Sequence, residues 1–154
     1  MRVNTTMLAL LALIIPVLAC AEKKSAPEPF FAWTATNLAI EEPIGGKQGI
    51  SENGKKVVLD RKKGNCLACH MLPIEDAEFP GQIGPPLLAV GARYSPAQLR
   101  LRIANLQLVN PATIMPPYYI DPAQLNNVKK KFRGKTILTA QEVEDVVAYL
   151  SSLK

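Results

Sequence analysis

The sequence predicts a single, mainly helical domain with long irregular connections. Three observations lead there. Two capping boxes, Ser95/Gln98 and Thr139/Glu142, each open an apolar run at helical spacing. No stretch alternates apolar and polar residues as a half-buried strand would. The loops over 72–91 and 107–122 are heavy in Pro and Gly. A chain of 154 residues suits one domain.

The amino-terminal residues read as a targeting segment. Arg2 supplies a thin positive region, Met7 to Leu18 is an almost unbroken apolar run, and small residues follow at Ala19, Cys20 and Ala21. A run of about a dozen apolar residues is too short to span a bilayer but suits the centre of a signal peptide. Ala19-Cys20-Ala21 fits cleavage after residue 21, whereas Val17-Leu18-Ala19-Cys20 reads as a loose lipobox that would leave Cys20 acylated as a membrane anchor. Either route puts the remaining chain outside the cytoplasm, in the periplasm. Removal of residues 1–21 takes away Arg2 and no acid, lowering the formal charge from +5 to +4. So small a charge does not argue for nucleic acid. The clusters Arg61-Lys62-Lys63 and Lys129-Lys130-Lys131 with Arg133 read as solvated helix ends or as docking patches for an acidic partner.

Residues 22–50 are rich in Ala, Pro, Glu and Lys without a clear period, and are expected to form an extended arm. Phe30-Phe31-Ala32-Trp33 is the exception, holding half the Phe and the only Trp; such residues pack either on the domain or on a partner. The domain proper is expected over 51–154. Its first helix starts near Ser51, carries Val57, Val58 and Leu59, and is expected to stop at Gly64-Asn65. The second has Ser95 as N-cap and Pro96 at the first helical position, with Leu99, Ile103 and Leu106 on its apolar face. The last helix, after Thr139, repeats Val143, Val146, Val147 and Leu150 at i, i+3, i+4 and i+7. Connections this long are hard to justify in a small fold unless something is wrapped by them.

That something is indicated by Cys66-Leu67-Ala68-Cys69-His70, the C-x-x-C-H signature of covalent haem attachment. Two thiols three residues apart can each add to a porphyrin vinyl group, and the following imidazole then faces the iron. A zinc site would want four Cys or His ligands, and His70 is the only histidine. A thioredoxin-like pair would want a βαβ setting that is missing here. With one histidine, bis-His ligation within the chain is impossible. Beyond residue 21 there are two methionines, and Met71 is adjacent to His70, which leaves Met115 in Asn110-Pro111-Ala112-Thr113-Ile114-Met115-Pro116-Pro117 as distal ligand. The two prolines stiffen that loop. A core role for Met115, lysine ligation or an open site are the alternatives. His/Met ligation raises the potential relative to nitrogen-only ligands. Gly84-Pro85-Pro86-Leu87 is either an ordinary turn or the source of a backbone carbonyl, that of Pro85, for the His70 Nδ1–H.

In order along the chain, these features resemble the class I cytochrome c family: attachment motif after a first helix, Gly84-Pro85-x-Leu87 loop, Met-Pro loop and amphipathic C-terminal helix. Within it, the string Lys63-Gly64-Asn65-Cys66-Leu67-Ala68-Cys69-His70 is similar to that of the SoxX group, the monohaem subunits of the SoxAX cytochromes of bacterial sulfur oxidation. Gly81-Gln82-Ile83-Gly84-Pro85-Pro86-Leu87, Asn110-Pro111 ahead of Met115-Pro116-Pro117, and Leu138-Thr139 before the final helix carry the same resemblance over roughly residues 51–154. It implies a class I cytochrome c-like helical fold around one haem c, with Cys66 and Cys69 as thioether anchors, His70 as proximal ligand and Met115 as distal ligand. It also implies an electron-transfer subunit, not catalytic by itself, in a heteromeric L-cysteine S-thiosulfotransferase. The implied partners are a SoxA-like cytochrome, whose cysteine-ligated haem joins thiosulfate to a cysteine of the SoxYZ carrier, and a mobile cytochrome c acceptor. A free-standing electron shuttle is the competing reading. An open-iron enzyme such as a peroxidase is disfavoured, since Met115 would fill the open position and no distal histidine is available for acid–base work.

Overall fold

The computed structural model describes residues 28–74, 81–125, 130 and 133–154. The segment read as an export signal, with Cys20, and Lys129 and Lys131 of the basic run, lie outside the described residues. Among the described residues there are four α-helices: α1 (Ser51–Leu59), α2 (Val90–Arg93), α3 (Pro96–Asn105) and α4 (Ala140–Ser152). The one β-type pairing among them is an isolated bridge, Thr36 to Ala39. None of these helices is long and apolar enough to cross a membrane.

Both capping boxes form. Ser95 Oγ accepts from Gln98 N at 3.2 Å while Gln98 Oε1 accepts from Ser95 N at 3.0 Å. Thr139 and Glu142 repeat the exchange at 3.1 and 2.9 Å. Each box satisfies donors that a helix N-terminus would otherwise leave unpaired. The end of α1 differs from expectation: the helix stops at Leu59, not at Gly64-Asn65. Asp60 turns the chain there, its carboxylate accepting from Lys62 N at 2.7 Å and its carbonyl from Lys63 N and Asn65 N at 3.0 Å each. The short α2 begins within the segment 72–91 read as loop and runs two residues past it, a single turn with Val90 and Gly91 buried.

The core lies between α1, α3 and α4, with α1 against α4 as the most extensive pairing. Val57 and Val58 meet Val143, Val146, Val147 and Leu150, and α3 adds Leu99, Leu101 and Ile103. Burying each of these side chains contributes about 1.5–3 kcal/mol. The α1/α4 crossing depends on Gly54. A Cβ there would stand 2.5 Å from the Asp145 carbonyl carbon and 2.8 Å from Tyr149 Cβ, so only glycine allows the two backbones this close.

The described part of the arm, residues 28–50, packs on the domain. Phe30 stacks on Tyr119 with ring centroids 5.1 Å apart, Trp33 Nε1 donates to the Tyr119 carbonyl at 3.1 Å, and Ile40 and Ile44 are buried in the core. Of the two placements open to Phe30–Trp33, this is the one on the domain. A buried ion pair holds the arm further on. Arg100 (5% exposed) and Glu144 (3%) meet in a bidentate contact at 2.8 and 2.9 Å. The guanidinium also donates to the Ile40 and Glu41 carbonyls at 2.7 and 3.2 Å, and Glu144 accepts from Ile44 N at 2.9 Å. The pair thus spends its remaining hydrogen-bonding capacity on arm backbone, which makes its burial tolerable.

Candidate haem-binding site

Cys66–Ala68 form one 3-10 turn that begins after Asn65, a residue in the left-handed region at φ 49°. Cys69 N and His70 N both donate to the Cys66 carbonyl, at 3.1 and 2.9 Å. The turn places both thiols and the imidazole on one short, hydrogen-bonded unit. Both cysteines are unpaired and half-buried. Burial pushes the Cys66 thiol up to about 11, with its own backbone amide pulling the other way.

The segment 81–87 runs beside this turn and is bonded to it three times. Gly81 N donates to the Leu67 carbonyl at 2.8 Å, Gly84 N to Cys69 at 2.7 Å, and Leu87 N to Met71 at 2.9 Å. This pinning brings the Pro85 carbonyl to 2.7 Å from His70 Nδ1. A carbonyl only accepts, so the geometry requires the proton on Nδ1 and leaves the Nε2 lone pair free for a metal. Gly84 lies against the imidazole: a Cβ there would come within 2.5 Å of Nδ1 and 2.9 Å of Nε2. Arg93 Nη2 donates to the next carbonyl, that of Pro86, at 2.7 Å and so steadies the same loop from α2.

Met115 is half-buried in a loop shaped by its own side chains. Asn110 Oδ1 accepts from Ala112 N and Thr113 Oγ1 from Met115 N, each at 3.1 Å, and Thr113 N returns to the Asn110 carbonyl at 3.1 Å. Beyond Pro116-Pro117, the Tyr118 hydroxyl donates to the Gly64 carbonyl at 2.7 Å, joining the Met115 loop to the attachment turn across 54 positions of sequence. Burial raises the Tyr118 hydroxyl well above its ordinary value, and nearby Cys66 and Cys69 act in the same direction. Arg93 and Tyr118 were invisible in the sequence: neither belongs to a local motif, and both act through contacts made only by the folded chain.

The donor set fits haem c. Two free thiols on one turn suit two thioether bonds, and the imidazole presents a lone pair on Nε2 because Nδ1 is engaged. Nothing else in the described structure uses these three groups.

Comparison with known proteins agrees. The family model for cytochrome c matches residues 51–154. A solved structure, the crystal structure of SoxXA from P. pantotrophus, contains a chain 37% identical to this one, with a TM-score of 0.71 over 79% of this chain and 94% of that chain. Among curated proteins no match is found. A helical fold with a cytochrome c match over two thirds of its length, and a solved relative at this identity, leave one conclusion: the chain belongs to the cytochrome c family, as a SoxX-like class I cytochrome that transfers electrons.

Proposed function

We propose that the chain works in the periplasm as the monohaem subunit of a SoxAX-type complex, taking single electrons from a SoxA-like partner during thiosulfate oxidation and passing them to a mobile cytochrome c. The observation that carries this reading is the attachment turn itself, with two free thiols and an imidazole whose Nδ1 is held by the Pro85 carbonyl at 2.7 Å. Haem c bound there supplies a one-electron ferric/ferrous couple. Cys66 and Cys69 would hold it by thioether bonds, and His70 would present Nε2 to the iron. The Pro85 carbonyl orients the ring and strengthens its electron donation, which favours the ferric state; Met115, a weaker thioether donor, favours the ferrous state. Met115→Ala is expected to abolish the weak far-red sulfur-to-iron absorption band and to lower the potential.

With haem held by both His70 and Met115, no open position would be left for a substrate, and function would pass through surfaces. Two exposed apolar residues lie next to residues of the site: Ile83 (68% exposed) beside Gly84, which packs on His70, and Ile114 (80%) beside Met115. They support a docking face near the haem edge. The Phe30–Trp33 segment is already engaged within the chain. Supplied with SoxA-like and SoxYZ proteins, the oxidised cytochrome is expected to show ferrous bands on addition of thiosulfate. A chain that is monomeric in its native extract and stays ferric under those conditions would be a free-standing shuttle instead.

A further inference from the structure

The Tyr118 hydroxyl makes a single long-range bond at a place where two otherwise separate segments meet. Its acceptor, the Gly64 carbonyl, belongs to the peptide unit that enters Asn65. The amide end of that same unit donates to the Asp60 carbonyl at 3.0 Å. The Gly64–Asn65 peptide is therefore held at both ends, immediately before the left-handed Asn65 that aims Cys66. On the other side, the Tyr118 backbone is bonded to α3 and to the segment ahead of α4. Its N–H donates to the Ile103 carbonyl at 3.3 Å, and its carbonyl accepts from Ile137 N and Leu138 N at 3.1 and 3.0 Å. Between Tyr118 and Met115 lie only Pro116 and Pro117, whose fixed φ transmits the position of Tyr118 to the loop ahead of it.

We infer that Tyr118 is a positioning residue: its hydroxyl latches the Met115 loop to the attachment turn and so holds Met115 on the iron. The inference rests on the assignment of Met115 as distal ligand. If the latch opens, the Met115 loop moves more freely away from the turn that carries Cys66, and a competing ligand gains access. The apparent affinity of such a ligand is its intrinsic affinity multiplied by the fraction of molecules with the loop open. Loss of one partly buried hydrogen bond, with the Gly64 carbonyl left unsatisfied, corresponds to about a tenfold rise in that fraction.

The test uses the ferric holoprotein and imidazole as probe. Loss of the far-red sulfur-to-iron band is followed as imidazole is added to the wild type, to Tyr118→Phe and to Ser95→Ala. The last variant removes a hydrogen bond of similar worth from the α3 cap, away from the haem turn. Tyr118→Phe is expected to keep its covalent haem and its band, and to bind imidazole about tenfold more tightly than the wild type. Ser95→Ala is expected to stay within twofold of the wild type. A Tyr118→Phe affinity within twofold of the wild type overturns the latch, as does an equal tightening in Ser95→Ala. A wild type lacking the band overturns the Met115 assignment and the latch with it, so the two failures are told apart by the wild-type spectrum alone.

Discussion

Gly84→Ala is the smallest change that reaches the proposed proximal ligand. The added methyl would sit 2.5 Å from His70 Nδ1 and 2.9 Å from Nε2, where ordinary contact needs 3.4 Å or more. Ring or loop must therefore move by about 1 Å. The loop is poorly able to yield, because Gly81, Gly84 and Leu87 are each bonded to the attachment turn at 2.7–2.9 Å. If the ring moves instead, the 2.7 Å bond to the Pro85 carbonyl lengthens past the useful range. Overpacking of this kind costs about 1–3 kcal/mol, and the lost hydrogen bond adds about 1 kcal/mol. Losing the Nδ1 acceptor also weakens electron donation to ferric iron, so the potential is expected to rise by tens of millivolts, about 59 mV being a tenfold change for one electron. Denaturant titration of the holoprotein and a redox titration read the two effects. A variant within about 0.5 kcal/mol of the wild type, with an unchanged potential, would refute the close packing of Gly84 on His70 as the feature that holds this ring.

Other expectations follow from the fold. Gly54→Ala should gain about 1 kcal/mol of helix propensity yet lose more at the α1/α4 crossing, giving a net destabilisation of about 2 kcal/mol by denaturant midpoint; a more stable variant would contradict the contact. Glu144→Gln leaves Arg100 buried without its counter-charge and should cost about 3–5 kcal/mol. It should also loosen Ile40–Ile44, seen as faster limited proteolysis of the arm. Lys63, half exposed, has its pKa raised chiefly by its hydrogen bond to Glu142 at 2.6 Å. A raised folded pKa gives stability that is present below the ordinary value of 10.5 and lost as pH climbs through the folded value. Lys63→Met should therefore cost only a few tenths of a kcal/mol at neutral pH, and that difference should vanish in strong alkali and shrink in high salt.

What could be read before folding was what depends on neighbours in sequence. Ser95 and Thr139 carry their capping partners three residues on, and α3 and α4 begin where those boxes say. The attachment motif is equally local. The arm was harder. Ile40 and Ile44 show no strand or helix period of their own, and their burial depends on Arg100 and Glu144, charged residues that a periodicity argument assigns to solvent. Leu101 lies off the expected apolar face of α3 yet is fully buried, because arm and helices cover α3 from several sides. The reason for Gly54 is the backbone of α4, about ninety positions away, which no local pattern reveals. The loop 81–87 showed a turn signal, but the three bonds that align it with the attachment turn belong to the folded chain.

The central claim, that Cys66 and Cys69 are there to hold haem, is tested most directly by mass spectrometry of the native protein after denaturation and proteolysis. One peptide containing Cys66 and Cys69 should carry the mass of a single haem, with neither thiol open to alkylation. Recovery of that peptide with two alkylated cysteines, and of haem extractable into acidified solvent, would contradict the account.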